Sequence, residues 1–312
     1  MQKVKEFLEA TPYEHFKIEV ASSDASFRRY FRLVYEDTNC ILMDSSLEKS
    51  SLEPFLKVTN LLRSVNAHAP EILYEDLEKG FLIIEDLGSN NLLDTLGSDN
   101  MNELYKKCID AIITMQEINA KELPLYDNAF LKLEMNLMLE WFLEKYLEKE
   151  LTNQEKKTIE TTLELIAKKV LSHPQDCFVH RDFHSRNIMN CEPLGIIDYQ
   201  DAMNGSIVYD LVSLLKDLYI KIDEEQRIAL ALYFKEQKGL DVSDKEFLEW
   251  FDFMGLQRHL KVLGIFVRLY LRDGKDGYLK DLPLTLEYVL EVCKKYPELD
   301  ELYGLLSKVK LP

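Results

Sequence analysis

Hydrophobic and polar positions follow one pattern in the first ninety residues and another in the rest of the chain. Short apolar runs bounded by turn residues predict strands in the first part, whereas apolar positions three or four residues apart predict helices after Gly88. In the first part we expect strands at residues 26–34, 40–43 and 81–85, a helix at 52–65, and a connection through 68–75.

The remainder of the chain is predicted to be mainly helical. A short strand at 178–179 and a hairpin of strands at 188–190 and 194–197 interrupt the helices. The sequence therefore predicts an α+β protein with a sheet-bearing N-terminal domain, residues 1–87, and a large helical domain, residues 88–312. The predicted helices cover residues 100–119, 131–149, 153–171, 210–219, 224–237, 244–271 and 284–295.

Composition and charge exclude several classes of protein. At 312 residues the chain is long enough for two cores, and its net charge of -17 argues against a nucleic-acid partner, which would need a dominant basic surface. The five cysteines are widely spaced and form no Cys-x-x-Cys pair, so neither a disulfide framework nor a zinc site is predicted. The charged N-terminus lacks the pattern of a signal peptide, and no apolar stretch is long enough for a membrane span. We therefore expect a cytoplasmic protein, and the sequence gives no basis for inferring a protein partner.

Residues 180–201 contain the pattern of a phosphoryl-transfer site. His180, Asp182 and Asn187 fit the spacing His-x-Asp-x-x-x-x-Asn, and Asp198 follows the second strand of the predicted hairpin. In such sites an aspartate takes the proton of the acceptor hydroxyl, and a carboxylate with an asparagine holds Mg²⁺ on the ATP phosphates. We predict Asp182 as the base and Asn187 and Asp198 as the metal ligands. The alternatives are a surface turn for Asp182 and a strand-end turn for Asp198.

Other residues of this segment are predicted to support or extend the site. We expect the ring of His180 to brace the loop through a backbone hydrogen bond, and Arg181 to have a similar scaffolding role. Asp210 precedes an apolar helix, so its plainest role is that of an N-cap, and in this context it is also a candidate for tying the loop to that helix. Asp201 has no evident structural task and is a candidate for contacting the acceptor.

A run of small polar residues precedes the strand at 26–34. It contains Ser22, Ser23 and Ser26, whose hydroxyl and backbone N–H groups are donors for nucleotide phosphates. Because the run contains no glycine, a plain loop is the alternative.

Cations follow this run in the predicted strand. Arg28 and Arg32 are expected on one face of the strand and Arg29 on the other, and we predict that at least one of them contacts phosphate. Glu85 ends the strand at 81–85, next to a predicted hinge at 86–88, and is a further candidate for the cofactor site.

Four cations lie at helical spacing in the long helix predicted at 244–271 and just beyond it. Arg258, Lys261, Arg268 and Arg272 fall on one face, and apolar residues occupy the other. A solvated face is one interpretation of this stripe, but in so acidic a chain it also suggests an anionic ligand. We count Arg258, His259 and Lys261, together with Asp201, as candidate residues for binding the acceptor.

These stretches resemble the aminoglycoside phosphotransferase superfamily. More closely, the chain resembles the N-acetylmuramate/N-acetylglucosamine anomeric kinases of bacterial cell-wall recycling. The segment 180–198 is shared across the superfamily, whereas the segment 255–278 is more specific to the sugar kinases. The matching stretches are residues 22–32, 140–143, 180–187, 197–202, 209–215, 255–266 and 272–279.

The resemblance implies a two-lobed protein-kinase-like fold, with a nucleotide-binding lobe at 1–87 and a catalytic, acceptor-binding lobe at 88–312. It also implies ATP and Mg²⁺ as cofactors and transfer of the γ-phosphoryl group to the C1 hydroxyl of an N-acetylated amino sugar. One departure is that residues 41–44 lack the lysine of a typical kinase lobe, so Arg28, Arg29 and Arg32 are the candidates to replace it. Two alternatives stay open: another small hydroxyl acceptor, such as an aminoglycoside or choline, and a catalytically degenerate nucleotide sensor.

Overall fold

The computed structural model of the protein describes residues 1–22 and 28–311. The candidates Ser23 and Ser26 lie outside the described residues. The strands are β1 (Lys17–Ser22), β2 (Arg29–Tyr35), β3 (Thr38–Asp44), β4 (Ile72–Asp76), β5 (Phe81–Glu85), β6 (Cys177–Val179), β7 (Ile188–Met189), β8 (Gly195–Ile196) and β9 (Met203–Gly205). The helices are α1 (Gln2–Leu8), α2 (Leu52–Ser64), α3 (Leu92–Thr95), α4 (Met101–Met115), α5 (Asn128–Leu137), α6 (Asn153–Leu171), α7 (Tyr209–Leu215), α8 (Glu224–Gln237), α9 (Asp244–Asp273), α10 (Leu282–Lys295) and α11 (Asp300–Leu306).

The chain forms two compact units. The N-terminal unit comprises Met1–Thr95 and Arg186–Asp201, and the helical unit comprises Leu96–Ser185 and Ala202–Pro312. The predicted boundary at 87/88 stays a prediction. No helix among the described residues carries an apolar stretch that would cross a membrane.

A five-stranded antiparallel sheet forms the centre of the N-terminal unit, in the order β1-β2-β3-β5-β4. The sequence analysis predicts β2, β3, β5 and helix α2 but misses α1, β1 and β4, the last of which lies where only a connection was expected. Helix α1 buries Phe7, whose ring stacks on Phe81 of β5 with the ring centroids 4.5 Å apart. The helix and the sheet thus share one apolar core, and burial against β5 explains how so short and highly charged a segment becomes helical.

The β7–β8 hairpin belongs to the N-terminal unit although it lies a hundred residues along the chain from the sheet. The backbone N–H of Ile196 donates to the carbonyl of His68 at 2.9 Å. Gly195 packs against Leu87, and a Cβ atom at this glycine would lie only 2.7 Å from Leu87 Cδ1. The hairpin at which the predicted metal ligands lie is therefore fixed to the end of β5.

Helix α9 is the central element of the helical unit, with helices α5, α6, α7, α8 and α10 packed around it. Its residues 250–264 are all buried, so both its apolar and its polar side chains face neighbouring helices. At Gly264 a Cβ atom would lie 2.2 Å from the carbonyl carbon of Leu137, so the backbones meet there without a side chain between them.

The helix predicted at 131–149 is observed as two types of helix. Helix α5 ends at Leu137, and π-helical turns follow over Met138–Tyr146. The N–H of Leu147 donates to the carbonyl of Phe142, five residues back, at 3.1 Å. The change of winding begins at Met138, directly after Leu137, which packs against Gly264, and spacing in the sequence alone does not predict it.

Candidate active site

The loop of residues 180–185, called the Asp182 loop below, is held at its start by Asp210. One oxygen of this buried carboxylate accepts the backbone N–H of His180 at 2.7 Å and the other accepts that of Arg181 at 3.0 Å. The expectation that Asp210 is the N-cap of its helix is wrong, because Val208 is the N-cap of α7 and Asp210 lies in the first turn. Both carboxylate oxygens are instead used to fix the loop.

The other end of the loop is held by Asp217, which follows α7 and which the sequence analysis misses. Its carboxylate is 1% exposed and accepts the backbone N–H of Ser185 at 2.9 Å. Within the loop, the Nδ1 atom of His180 accepts the backbone N–H of Asp182 at 3.3 Å. Carboxylates at both ends of one short helix therefore define the path of the backbone around Asp182.

Arg181 adopts a left-handed backbone conformation, with φ +79°, which is strained for a residue with a side chain. Its guanidinium donates to Glu134 Oε1 at 2.7 Å, and the ammonium of Lys261 lies 3.1 Å from the same oxygen. Lys261 also donates to the hydroxyl of Tyr209 at 3.1 Å. Glu134 is 6% exposed, so one buried carboxylate compensates buried Lys261 and half-buried Arg181 and ties the loop to α5 and α9.

These charges determine the ionisation of Asp182. Burial raises the pKa of this carboxyl group, but the positive charge of Lys261, followed by His184 and Arg258, lowers it to about 2. Asp182 is therefore a carboxylate at neutral pH, able to accept a proton or a hydrogen bond from a hydroxyl group.

The cationic stripe of α9 is not a single surface. Arg258 and Lys261 are 4% and 5% exposed, so the interpretation as a solvated face is wrong for these two residues. Arg268 is half-buried, and Arg272 is exposed and paired with Asp273. The stripe therefore divides into a buried half and a half that reaches solvent.

His259 lies beside the buried half of the stripe and is fully buried. Its Nε2 atom donates to the carbonyl of Lys216 at 3.2 Å. Burial, followed by the charges of Arg258 and Lys216, lowers the pKa of His259 well below its usual value. The ring is therefore neutral, and its hydrogen bond joins α9 to the end of α7.

Asn187 and Asp198, the predicted metal ligands, meet in the N-terminal unit. The side-chain amide of Asn187 donates to Asp198 Oδ2 at 3.4 Å, and that of Gln200 donates to Asp198 Oδ1 at 3.2 Å. Gln200 also contacts Asp201 at 3.4 Å and accepts a hydrogen bond from Arg28 at 3.0 Å. The structure thus brings four predicted residues together around Gln200, which the sequence analysis does not single out.

Tyr199 fixes this segment to α2. Its ring stacks on Phe55 with the centroids 5.1 Å apart, and its hydroxyl lies 2.8 Å from that of Thr59. Tyr199 is fully buried, whereas Asp198, whose backbone is left-handed with φ +64°, is exposed and Gln200 is half-buried.

The remaining cofactor candidates are Arg29, Arg32, Glu85 and Ser22, and the first three form ion pairs or hydrogen bonds within the N-terminal unit. Arg29 pairs with Asp44, and Arg32 makes a two-pronged contact with Asp86 at 2.6 and 3.0 Å. The carboxylate of Glu85 accepts the backbone N–H of Glu71 at 3.1 Å. Ser22 is the last residue of β1.

Comparison with known proteins places these features in context. The profile of the "Phosphotransferase enzyme family" matches residues 17–247. An N-acetylmuramate/N-acetylglucosamine kinase of Pseudomonas aeruginosa is 40% identical over 93% of this chain and 87% of its own length. A protein of the same name from Neisseria meningitidis is 39% identical over 98% of this chain and 95% of its own.

Solved structures show the same fold at low sequence identity. The ADP-bound aminoglycoside phosphotransferase APH(2'')-Ib superposes with a TM-score of 0.64 at 15% identity, covering 93% of this chain and 98% of that one. A choline/ethanolamine kinase family protein from Mesorhizobium loti gives a TM-score of 0.66 at 12% identity, covering 98% of both chains. These similarities confirm the predicted α+β, protein-kinase-like fold.

Proposed function

Because the chain belongs to the phosphotransferase enzyme family, we propose that it is an ATP- and Mg²⁺-dependent kinase for the anomeric C1 hydroxyl of N-acetylmuramate and N-acetylglucosamine. The observation that carries the proposal is the extent of the similarity. Relatives named for these two sugars are 37–40% identical to it over 93–98% of the chain, far beyond the segment common to the whole superfamily. Such a kinase would act in the cytoplasm, where ATP is available.

Asp182 is the proposed base. A carboxylate held ionised by neighbouring cations is suited to orient the C1 hydroxyl and accept its proton as the phosphoryl group is transferred. The reaction needs this oxygen held in line with the γ-phosphate, and the backbone of the loop is fixed at both ends by Asp210 and Asp217.

Asn187 and Asp198 are the proposed ligands of Mg²⁺. No group of three or more Asp, Glu, His or Cys side chains in the described ranges forms a metal cluster. A single carboxylate with one amide fits Mg²⁺, which takes one or two protein carboxylates and completes its shell with water and substrate phosphates. When bound, the ion would neutralise the phosphate charge. Asp198 and Asn187 lie within hydrogen-bonding distance of each other and would hold it.

Arg28 is the proposed phosphate-binding cation in place of the missing kinase lysine. The guanidinium of Arg28 donates to the side-chain oxygen of Gln200 at 3.0 Å, and the NH₂ group of Gln200 donates to Asp198, so Arg28 lies close to the proposed metal ligand.

The test is a turnover assay with Mg·ATP and four acceptors: N-acetylmuramate, N-acetylglucosamine, an aminoglycoside and choline. We expect turnover with the two sugars and a product whose phosphorus NMR signal couples to the anomeric proton. Turnover only with the other acceptors, or ATP binding without any transfer, would contradict the proposal.

Two variants test the assigned roles. Asp182→Asn should lower kcat by about 10²- to 10⁴-fold, the usual contribution of a general base, and leave Mg·ATP affinity nearly unchanged. Asp198→Ala should weaken Mg·ATP binding in calorimetry as well as abolish turnover. Asp273→Asn, which alters an exposed carboxylate, is the matched control and should behave as wild type. Wild-type kcat in Asp182→Asn would remove the base role.

A further inference from the structure

Among the described residues of the helical unit, four cations are less than a tenth exposed, and three of them, Lys216, Arg227 and Lys261, are paired with buried or half-buried carboxylates. Arg181 and Lys261 lie on Glu134, Lys216 lies 3.3 Å from Asp252, and Arg227 lies 2.8 Å from Glu291. Arg258 has no carboxylate within ion-pair distance among the described residues.

The guanidinium of Arg258 is nearly as well buried as the compensated cations. The side chain is 4% exposed, and its Nη1 atom is buried without a hydrogen-bond partner in the part of the chain that the structure describes. The ionised Asp182 interacts with this charge from beyond ion-pair distance. The buried Nη1 donor is still without an acceptor, which is costly in a protein interior and which an anionic ligand would supply.

The position of Arg258 indicates where that anion would lie. Its neighbour His259 is hydrogen-bonded to the carbonyl of Lys216, the residue before Asp217, whose carboxylate holds Ser185 of the Asp182 loop. In agreement with this placement, the charge of Arg258 lowers the pKa of both Asp182 and His184. Lys261, one turn further along α9, is already occupied by Glu134 and Tyr209. Arg268 lies ten residues along α9 from Arg258, which is about 15 Å at the rise of an α-helix.

We propose that Arg258 binds the lactyl carboxylate of N-acetylmuramate and so determines the preference of the enzyme for the acidic sugar. The proposal rests on the proposed function. The lactyl group is attached to O3 of the ring that carries the reacting C1 hydroxyl, so a base for one and a cation for the other must lie within one sugar residue of each other. A guanidinium is suited to the task because it contacts a carboxylate with two parallel hydrogen bonds.

A different role for Arg258, contact with the transferred phosphoryl group, would affect the two sugars differently from carboxylate recognition. If Arg258 neutralised the transferred phosphoryl group, both sugars would depend on it equally, because that group is common to both reactions. If it recognises the carboxylate, only the sugar with a carboxylate depends on it. The ratio of kcat/KM for the two sugars therefore separates the two roles.

The experiment measures kcat/KM for N-acetylmuramate, N-acetylglucosamine and N-acetylmuramate with its carboxylate converted to an amide. In Arg258→Gln we expect kcat/KM for N-acetylmuramate to fall about 10- to 100-fold, mainly through KM, as expected for loss of charged hydrogen bonds. The values for N-acetylglucosamine and for the amide should change less than about threefold. Arg258→Lys, which keeps the charge but not the two-pronged geometry, should give an intermediate ratio.

Two controls make the outcome decisive. Lys245→Gln removes an exposed charge from the same helix and should leave kcat/KM unchanged for all three substrates. In thermal unfolding without ligands, Arg258→Gln should melt at or above the wild-type temperature, since the variant loses a buried charged donor that has no hydrogen-bond partner at Nη1. A lower melting temperature, or equal losses for both sugars, would overturn the assignment of Arg258. Wild-type enzyme inactive on both sugars would overturn the proposed function and this inference with it.

Discussion

Replacing Glu134 by Gln should destabilise the protein by about 3–5 kcal/mol, the range for removing one member of a buried ion pair. Glu134 is 6% exposed and accepts from Arg181 at 2.7 Å and from Lys261 at 3.1 Å, so the change leaves one buried and one half-buried cation with a neutral amide. Glutamine keeps the volume of the side chain, which excludes a cavity as the cause. Urea denaturation followed by circular dichroism measures the change in the free energy of unfolding.

The matched control is Glu164→Gln, which removes an exposed carboxylate paired with Lys132 and should cost less than about 1 kcal/mol. A second change tests the cause. Adding Lys261→Met to Glu134→Gln removes one uncompensated ammonium and should restore part of the lost stability. If Glu134→Gln alone cost under about 1 kcal/mol, or if Lys261→Met made it worse, the charges around Glu134 would not be what stabilises this part of the helical unit.

Three further predictions follow from contacts around α7 and α9. Gly264→Ala should lower the free energy of unfolding by about 1–3 kcal/mol, because the added Cβ would lie 2.2 Å from the backbone of Leu137. The control Gly304→Ala has open space around its Cβ and should stabilise the protein by about 0.5–1 kcal/mol, so equal melting temperatures for the two variants would contradict this reasoning. Burial raises the pKa of Asp210 to about 6, so kcat at saturating substrates should fall as the pH drops through about 6 and the carboxylate loses an acceptor oxygen. The pKa of Asp182, about 2, produces no change in that range, and a flat profile from pH 5 to 8 would refute the assignment to Asp210. Asp217→Ala should lower kcat by about tenfold or more with little change in KM, while Asp217→Asn, which keeps an acceptor oxygen, should retain more activity; equal losses would contradict the anchoring role.

Segments whose apolar spacing and ends are clear in the sequence were predictable. Helices α6 and α8 and strand β5 have the predicted bounds, since their apolar spacing and their ends are both encoded locally. Short elements such as α1 and β9 were missed because burial against distant strands, not local preference, makes them regular. The predicted family resemblance is confirmed by relatives that are similar along nearly the whole chain.

The site was predictable to the same extent. The spacing in residues 180–201 identifies Asp182, Asn187 and Asp198 as candidates, and their roles stay predictions. The spacing does not identify the residues that hold the loop in place. Glu134 lies 47 residues before its partner Arg181, and Asp217 lies 32 residues after its partner Ser185. Such pairs exist only after folding, and no local pattern marks either carboxylate.

The two buried cations of the α9 stripe illustrate the consequence. Arg258 and Lys261 lie three residues apart, have similar burial and are indistinguishable as members of a basic helix face. Only the partners differ: Lys261 is neutralised by a carboxylate from α5, whereas Arg258 has none within ion-pair distance among the described residues. Since a buried charge without a partner is unfavourable in the folded protein, the difference points to a ligand for Arg258 and to a structural role for Lys261. In a helix buried on all sides, it is the partner of each charge, and not the spacing of the charges, that separates recognition from stability.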